Sequence, residues 1–455
     1  MAESVHVPIQ KIVVFCRLAG IPSRIVSGYA KAHGYEQGED VTLDKHNAHA
    51  WNLVYVDNDW FPLDVTWGAG FIKSKEKTYA TRFNDSYFLT DPDVFISDHF
   101  PYPVNSLSKH ESSEDYQLLR QPVSLQDFCC MVNFEQYGKM WGIRAVTRSQ
   151  AVVYNVELET DIVLEETHTE MNDYIGFLYD NDRKLDNCVY TFILTAGRVN
   201  VHVCIPYISV FKLIIYGRRM RDGPSADFQP IVRYTLQGTK ACARPYHYPT
   251  HHTLYGPTKH LMQYGIECMD THAYHQSENG EIIFTLRNRH GSDIYPRVFY
   301  QSSASDLKDF CFIDHTEDGD HMNVIVRMEF EGHYKLVLFV KPHDSFKYVP
   351  FATYLIHCKT GCQDGPFPFA HSNAHKYKCC LIEPLTRHVP ANSEHIFCMK
   401  SQLLQSVRCE GTTFTASLDG TFDARVPTSK PNTKLTIEGC GDDDIFHALY
   451  TFDVH

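Results

Sequence analysis

The sequence predicts a multidomain protein, an α+β domain followed by tandem all-β sandwiches, and three observations carry that prediction. Ile9, Ile12, Val13 and Cys16 recur at helical spacing, ahead of two alternating stretches at 49–56 and 60–67. Beyond residue 110 the pattern changes to short alternating strands separated by turn residues. One strand unit then recurs three times, as Phe211–Tyr216, Tyr334–Phe339 and Thr433–Glu438. With 455 residues and 43% hydrophobic content, the chain buries enough apolar surface for three or four domains.

Taken in order, the first element is a helix whose apolar face follows the i, i+3, i+4, i+7 pattern and which Gly20 terminates. Residues 49–56 and 60–67 are rich in β-branched and aromatic types, and Asp57-Asn58-Asp59 between them is turn chemistry. An even-length turn centred on Asp57-Asn58 sets His49 opposite Thr66. Asp64 is then a diagonal neighbour on the same face, roughly 7–8 Å away at the backbone. A carboxylate there orients one imidazole nitrogen and leaves the other to face a nucleophile, so His49 and Asp64 are the candidate catalytic residues. An odd-length turn would put them on opposite faces. Trp51, Trp60 and Trp67, three of the four tryptophans, crowd the same hairpin, and Gly68 and Gly70 close its second strand.

Four ordered motifs carry a resemblance: Cys16-Arg17-Leu18-Ala19-Gly20-Ile21-Pro22, Val26-Ser27-Gly28-Tyr29-Ala30-Lys31, His49-Ala50-Trp51-Asn52, and Leu63-Asp64-Val65-Thr66-Trp67-Gly68-Ala69-Gly70. Together they resemble the papain-like transglutaminase core, most closely the kyphoscoliosis peptidase and hillarin family. Tyr87–Pro92 and Phe95–Pro101 continue the match, which covers about residues 11–104. The resemblance implies that His49 is the general base and Asp64 its orienting partner in a Cys-His-Asp triad. By the family's spacing the nucleophile falls at Val5, and Ser4-Val5-His6-Val7-Pro8 lacks the family's Cys-x-Gly-Tyr-Ala pattern. Valine cannot attack a carbonyl, and Ser4 points about 100° around the helix. Cys16 matches a core position of the family. Two explanations stand: a pseudoenzyme, or an N-terminally truncated form of an active protein.

In the β region, Leu213, Leu336 and Leu435 recur at intervals of 123 and 99 residues, one sandwich of immunoglobulin size per interval. Each unit is followed by a strand holding a tyrosine, at Tyr234, Tyr354 and Tyr450. The resulting division is a partial transglutaminase-like domain at 1–105, a linker at 106–125, and immunoglobulin-like sandwiches at 126–242, 243–362 and 363–455. One large β domain with a smaller companion is the alternative.

The net charge of −13, without a basic run, argues against nucleic acid. No apolar stretch approaches the ~18 residues of a membrane span, and the N-terminus lacks a signal-peptide layout, so the protein reads as cytoplasmic. Fifteen cysteines at irregular spacing then read as reduced thiols. Cys358, Cys362, His371, His375 and Cys379 allow a zinc reading, but their irregular spacing favours core cysteines at strand ends. His247, His251 and His252 read as a solvated loop. No metal or cofactor is expected, and nothing resembles a calcium loop. A deglycosylating variant of the same core fold would call for zinc-binding Cys pairs that the sequence lacks.

Two functions follow. The first is a non-catalytic interaction protein; the family resemblance implies cytoskeletal partners, in muscle Z-disc or actin-associated structures. The second is a cysteine peptidase or amide-transfer enzyme whose thiol lies in a missing upstream segment. Hydrolysis and amide transfer would use the same residues and differ only in the acceptor.

Overall fold

The computed structural model describes every residue except 1, 33–34, 74–77, 82, 103–112, 168–171, 196, 224–225, 242–248, 250–253, 302, 304, 317–320, 343–346, 429 and 443. The expected linker at 106–125 and the His247/His251/His252 cluster fall partly or wholly outside those residues. The chain divides into two compact units: residues 1–191 with 196–245, and residues 192–195 with 246–455.

The first unit begins with helix α1 (Ala2–Leu18), which packs on strands β1 (Ser23–Ala30) and β2 (Ala48–Val56). Ile9 and Val13 are buried on the inner side, whereas Val14 and Phe15 face outward. Gly20 adopts a left-handed φ of 75°, and the Ile21 N–H returns to the Cys16 carbonyl at 2.8 Å, which ends the helix. β2 turns into β3 (Asp59–Leu63) through Asp57 and Asn58, with φ of 52° and 67°. Two consecutive positive φ values make the tight primed turn that matches strand twist. The register runs Val56↔Asp59 to Asn52↔Leu63.

The strand then stops. Residues 64–67 were expected to continue β3, but Asp64 instead caps a short helix, α2 (Val65–Gly68). Its Oδ1 accepts the N–H groups of Thr66 and Trp67 at 2.8 and 3.1 Å, satisfying donors that a strand ladder would otherwise claim. A small hairpin, β4 (Gly70–Lys73) with β5 (Thr78–Thr81), follows, then α3 (Pro92–Phe95) and β6 (His99–Pro101). The main sheet has the order β3-β2-β1-β6, which sets β2 and β6 on either side of β1.

At Gly28, in the middle of β1, a Cβ would collide with the Phe100 carbonyl oxygen and come within 2.8 Å of the Trp51 ring. The missing side chain lets Trp51 lie across β1 and meet His99 edge-on, with ring centroids 5.1 Å apart. Gly28→Ala is expected to cost about 1–3 kcal/mol through overpacking. A chemical melt followed by tryptophan fluorescence checks this; an unchanged midpoint would remove the close-approach role.

Two short helices, α4 (Leu125–Cys130) and α5 (Gln136–Met140), lead into the first sandwich. Its larger sheet runs Arg183–Leu185, Asn172–Asp180, Val210–Arg219, Gln229–Gly238 and Val152–Val156 in spatial order. Its other sheet centres on Glu159–Glu166, flanked by Arg198–Cys204 and Ile143–Ala145.

The second unit holds two more sheet pairs. One packs Asp293–Tyr300, Gly332–Lys341 and Val349–Cys358 against Glu281–Asn288 and His321–Arg327. The other packs Ser406–Cys409, Thr433–Cys440 and Phe446–Val454 against Cys380–Glu383, Ser393–Lys400 and Thr421–Thr428. In all three sandwiches a short strand adds in parallel to the tyrosine strand, with Thr235↔Val152, Tyr274↔Leu355 and His388↔Asp453 as partners. Leu213 pairs with Tyr234 and Leu336 with Tyr354, whereas in the third sandwich Tyr450 lies opposite Ile437 and Leu435 opposite Phe452. The tyrosine has moved two places, so it keeps the inner face and stays buried. The described cysteines are free thiols, and among the described residues no helix is long and apolar enough to cross a membrane.

Candidate active site

Each residue of His49-Ala50-Trp51-Asn52 has a distinct place. Asn52 is wholly buried and its Nδ2 donates to the Ile9 carbonyl at 3.3 Å, tying β2 to α1. Trp51 is buried against Phe95 and His99. His49 extends from β2 toward Asp64 and stacks on the Trp67 ring with centroids 5.2 Å apart.

The structure brings His49 and Asp64 together, Nε2 to Oδ2 at 2.7 Å. They meet because Asp64 is a helix cap. Its two backbone bonds on Oδ1 fix the carboxylate plane and aim Oδ2 at the imidazole. With Nε2 taken, Nδ1 is the nitrogen available to a thiol, the division of labour that a Cys-His-Asp unit requires.

Asp64 Oδ2 also receives His99 Nε2, at 3.1 Å. The other nitrogen of His99, Nδ1, lies 2.6 Å from Asp98 Oδ1, and the Lys139 ammonium from α5 pairs with Asp98 Oδ2. The Tyr87 hydroxyl donates to the same oxygen at 3.1 Å. Asp64, Asp98 and His99 are shut away from solvent. A second cation, Lys31 at the end of the β1 strand, donates to the Met131 carbonyl at 2.8 Å and sits over the Phe128 ring.

Burial opposes the charge on every one of these groups, and their partners decide the outcome. For Asp64, hydrogen bonds from His49 and His99 overcome burial and hold the carboxyl well below the usual carboxylate range. Asp98 is also held low, burial being outweighed by Lys139 and then His99. Burial would strip the proton from His99, but Asp98 and Asp64 raise its affinity above the ordinary imidazole value. Burial, reinforced by Asp98, pushes the Tyr87 phenol well up. Burial brings the Lys31 ammonium down to about 7, with the Asp98 charge pulling the other way.

His99, Asp98, Lys139 and Lys31 were not among the residues singled out as candidates. Asp98-His99 stood inside the Phe95–Pro101 motif, and an acid beside a histidine was the available signal. Lys139 lies 41 residues beyond Asp98 and carries no local mark.

The other sequence candidates do not converge. Cys358 is buried at a strand end and Cys379 in the core of the third sandwich. His371 pairs with the Thr451 hydroxyl at 2.9 Å, and the Cys362 thiol approaches Asp364. Among the described residues, the groups of three possible metal ligands are His49/Asp64/His99, Glu159/His202/Cys204 and His388/Asp453/His455. In the first, Asp64 Oδ2 is already shared by two histidines and the Lys139 charge stands behind Asp98, a poor setting for a further cation.

Residues 10–65 match the transglutaminase-like superfamily, and residues 256–369 match the KY-like, immunoglobulin-like domain. The chain is 26% identical to kyphoscoliosis peptidase of Homo sapiens over 417 residues, 87% of this chain and 57% of that protein. The mouse protein of the same name is 25% identical over 400 residues, 85% of this chain and 55% of that protein. Hillarin of Drosophila melanogaster is 27% identical over 199 residues, 40% of this chain and 23% of hillarin. The chain thus spans about half the length of the two kyphoscoliosis peptidases it matches.

Proposed function

We infer that this transglutaminase-like chain of the kyphoscoliosis peptidase and hillarin type works as a protein-binding scaffold and does not by itself turn over amides. The observation that carries the reading is Val5 at the position counted for the thiol. His49 and Asp64 without a thiol supply a base and its orienting group but nothing that attacks a carbonyl. The tandem sandwiches, which we place at 126–242, 243–362 and 363–455, offer sheet edges and faces to partners. The family resemblance supports a cytoplasmic setting and partners of the cytoskeletal class; co-sedimentation with filamentous actin is the direct check on them.

A second reading is favoured by the 2.7 Å bond between His49 and Asp64. The pair has the geometry of a working base, and a thiol delivered to His49 Nδ1 would open cysteine chemistry. The thiolate would add to an amide carbonyl, the amine would leave with a proton from His49, and water or a second amine would release the acyl group.

Labelling with a thiol-reactive acyl probe separates the two. On the native chain no adduct should depend on His49; an adduct lost in His49→Ala would overturn the scaffold reading. Val5→Cys is expected to gain a His49-dependent adduct, with acylation about 10²-fold faster than in Val5→Cys/His49→Ala. Equal rates in those two proteins would remove the base role from His49.

A further inference from the structure

We propose that His99 is a positioning residue carrying a fixed positive charge: held between Asp64 and the Asp98–Lys139 ion pair, it balances Asp64 so that His49 can stand beside that carboxylate as an unprotonated base. The inference goes beyond the scaffold reading and does not depend on it, because it concerns only the histidine–aspartate half of the site.

The geometry leaves His99 little choice. Nε2 faces Asp64 at 3.1 Å and Nδ1 faces Asp98 at 2.6 Å, in a site with no solvent exposure. An ionised carboxylate only accepts hydrogen bonds, so each ring nitrogen must donate, and an imidazole that donates from both nitrogens is an imidazolium. The escape would be a protonated carboxyl. Asp64 already accepts Thr66 N–H, Trp67 N–H and His49 Nε2, and Asp98 accepts the Tyr87 hydroxyl and the Lys139 ammonium. Both are solvated by donors and remain anions.

Charge balance then assigns the protons. Unpaired buried charge is costly, so a closed network tends to neutrality. Asp64 and Asp98 are two anions; His99 and Lys139 are two cations. The sum is zero with His49 neutral, its one ring proton on Nε2 toward Asp64 and Nδ1 bare. Of the remaining groups, Tyr87 keeps its phenolic proton, and Lys31, whose N–H bonds the Asp98 carbonyl and whose Nζ bonds the Met131 carbonyl, is drawn toward its neutral form by burial; any charge it keeps adds to the positive side and calls for no proton on His49. Trp51, Trp67 and Phe95 wall the ring with centroids 5.1, 4.6 and 4.0 Å away, excluding water that would otherwise screen the charge. Without the His99 charge, Asp64 would draw its compensating proton onto His49, and a histidine that holds its proton accepts none from a thiol.

Nitrogen-detected NMR of histidine-labelled native chain tests the charge directly. Both His99 nitrogens should stay protonated above the range in which an ordinary imidazole loses its proton; a singly protonated His99 near neutrality overturns the proposal. His99→Gln keeps a donor but removes the charge. In it Asp64, having lost its second imidazole cation, should draw a compensating proton onto His49, seen as a proton on His49 Nδ1 in the same nitrogen spectra at neutral pH. A folded variant whose His49 Nδ1 stays bare, as in the native chain, would show that His99 only fills space. Neither readout involves a thiol, so failure here is distinct from failure of the scaffold reading, which shows as a His49-dependent adduct on the native chain.

Discussion

Asp64→Ala is expected to destabilise the N-terminal unit by about 3–5 kcal/mol, the usual cost of removing one member of a buried charged network. The Asp64 carboxylate serves four donors, two backbone N–H groups on Oδ1 and two imidazoles on Oδ2. Alanine abolishes the cap of α2, worth about 1 kcal/mol alone. It also leaves the wholly buried His99 with an unanswered donor. Equilibrium unfolding followed by the fluorescence of Trp51 and Trp67, which both line the site, measures the loss. A cost under about 1 kcal/mol would mean that the cap alone matters. Asp64→Asn, which retains an acceptor for the cap, should fall between the native chain and alanine.

The same contacts set an acid limit. Asp64 and Asp98 hold their protons less tightly in the folded chain than in the unfolded one. As pH falls, the unfolded chain therefore takes up protons first. Their stabilisation is complete above about pH 4 and drains away below it, as pH drops toward the folded-state values. Asp64→Asn should show a shallower loss of stability over that acid range.

The second large effect is expected at Arg327, in the second unit. This arginine is 4% exposed at the end of its strand. Its Nε donates to Glu281 at 2.9 Å, and its Nη1 donates to the carbonyls of Leu385 and Gly365 at 2.8 and 3.3 Å. The guanidinium also lies over the Phe367 ring, 4.0 Å from its centroid. One side chain thus joins a strand of the second sandwich to the segments that open the third. Arg327→Met keeps most of the stem packing and removes every donor. It should cost about 2–3 kcal/mol, because two partly buried carbonyls and a partly buried carboxylate lose their partner. Thermal unfolding monitored by calorimetry checks the size of the effect. Arg327→Lys, a single point charge without the planar fork, should recover only part of it; full recovery would mean that charge alone matters.

Much of the site was legible from residue pattern. Alternation in 49–56 and the Asp57-Asn58 turn specify the β2–β3 register, and the observed pairs follow it down to Asn52↔Leu63. The helical face of Ile9, Ile12, Val13 and Cys16 and the stop at Gly20 were equally local. What misled was Val65-Thr66-Trp67, three residues of high strand propensity that form a helical turn once Asp64 caps it. His49 and Asp64 still meet, through a cap rather than a strand diagonal.

By itself, the sequence determined the elements whose information is periodic or contiguous: the hairpin, the helix against it, the thrice-used strand unit, and the histidine–aspartate pair with valine where a thiol is counted. Tertiary structure alone decided which charged groups surround that pair. Asp64 and His99 are 35 residues apart and Asp98 and Lys139 are 41 apart, on separate elements whose approach no local pattern encodes. The physical reason is that hydrophobic period acts over one turn or one strand. Compensation of a buried charge is settled instead by whichever opposite charges the finished packing brings within hydrogen-bond reach.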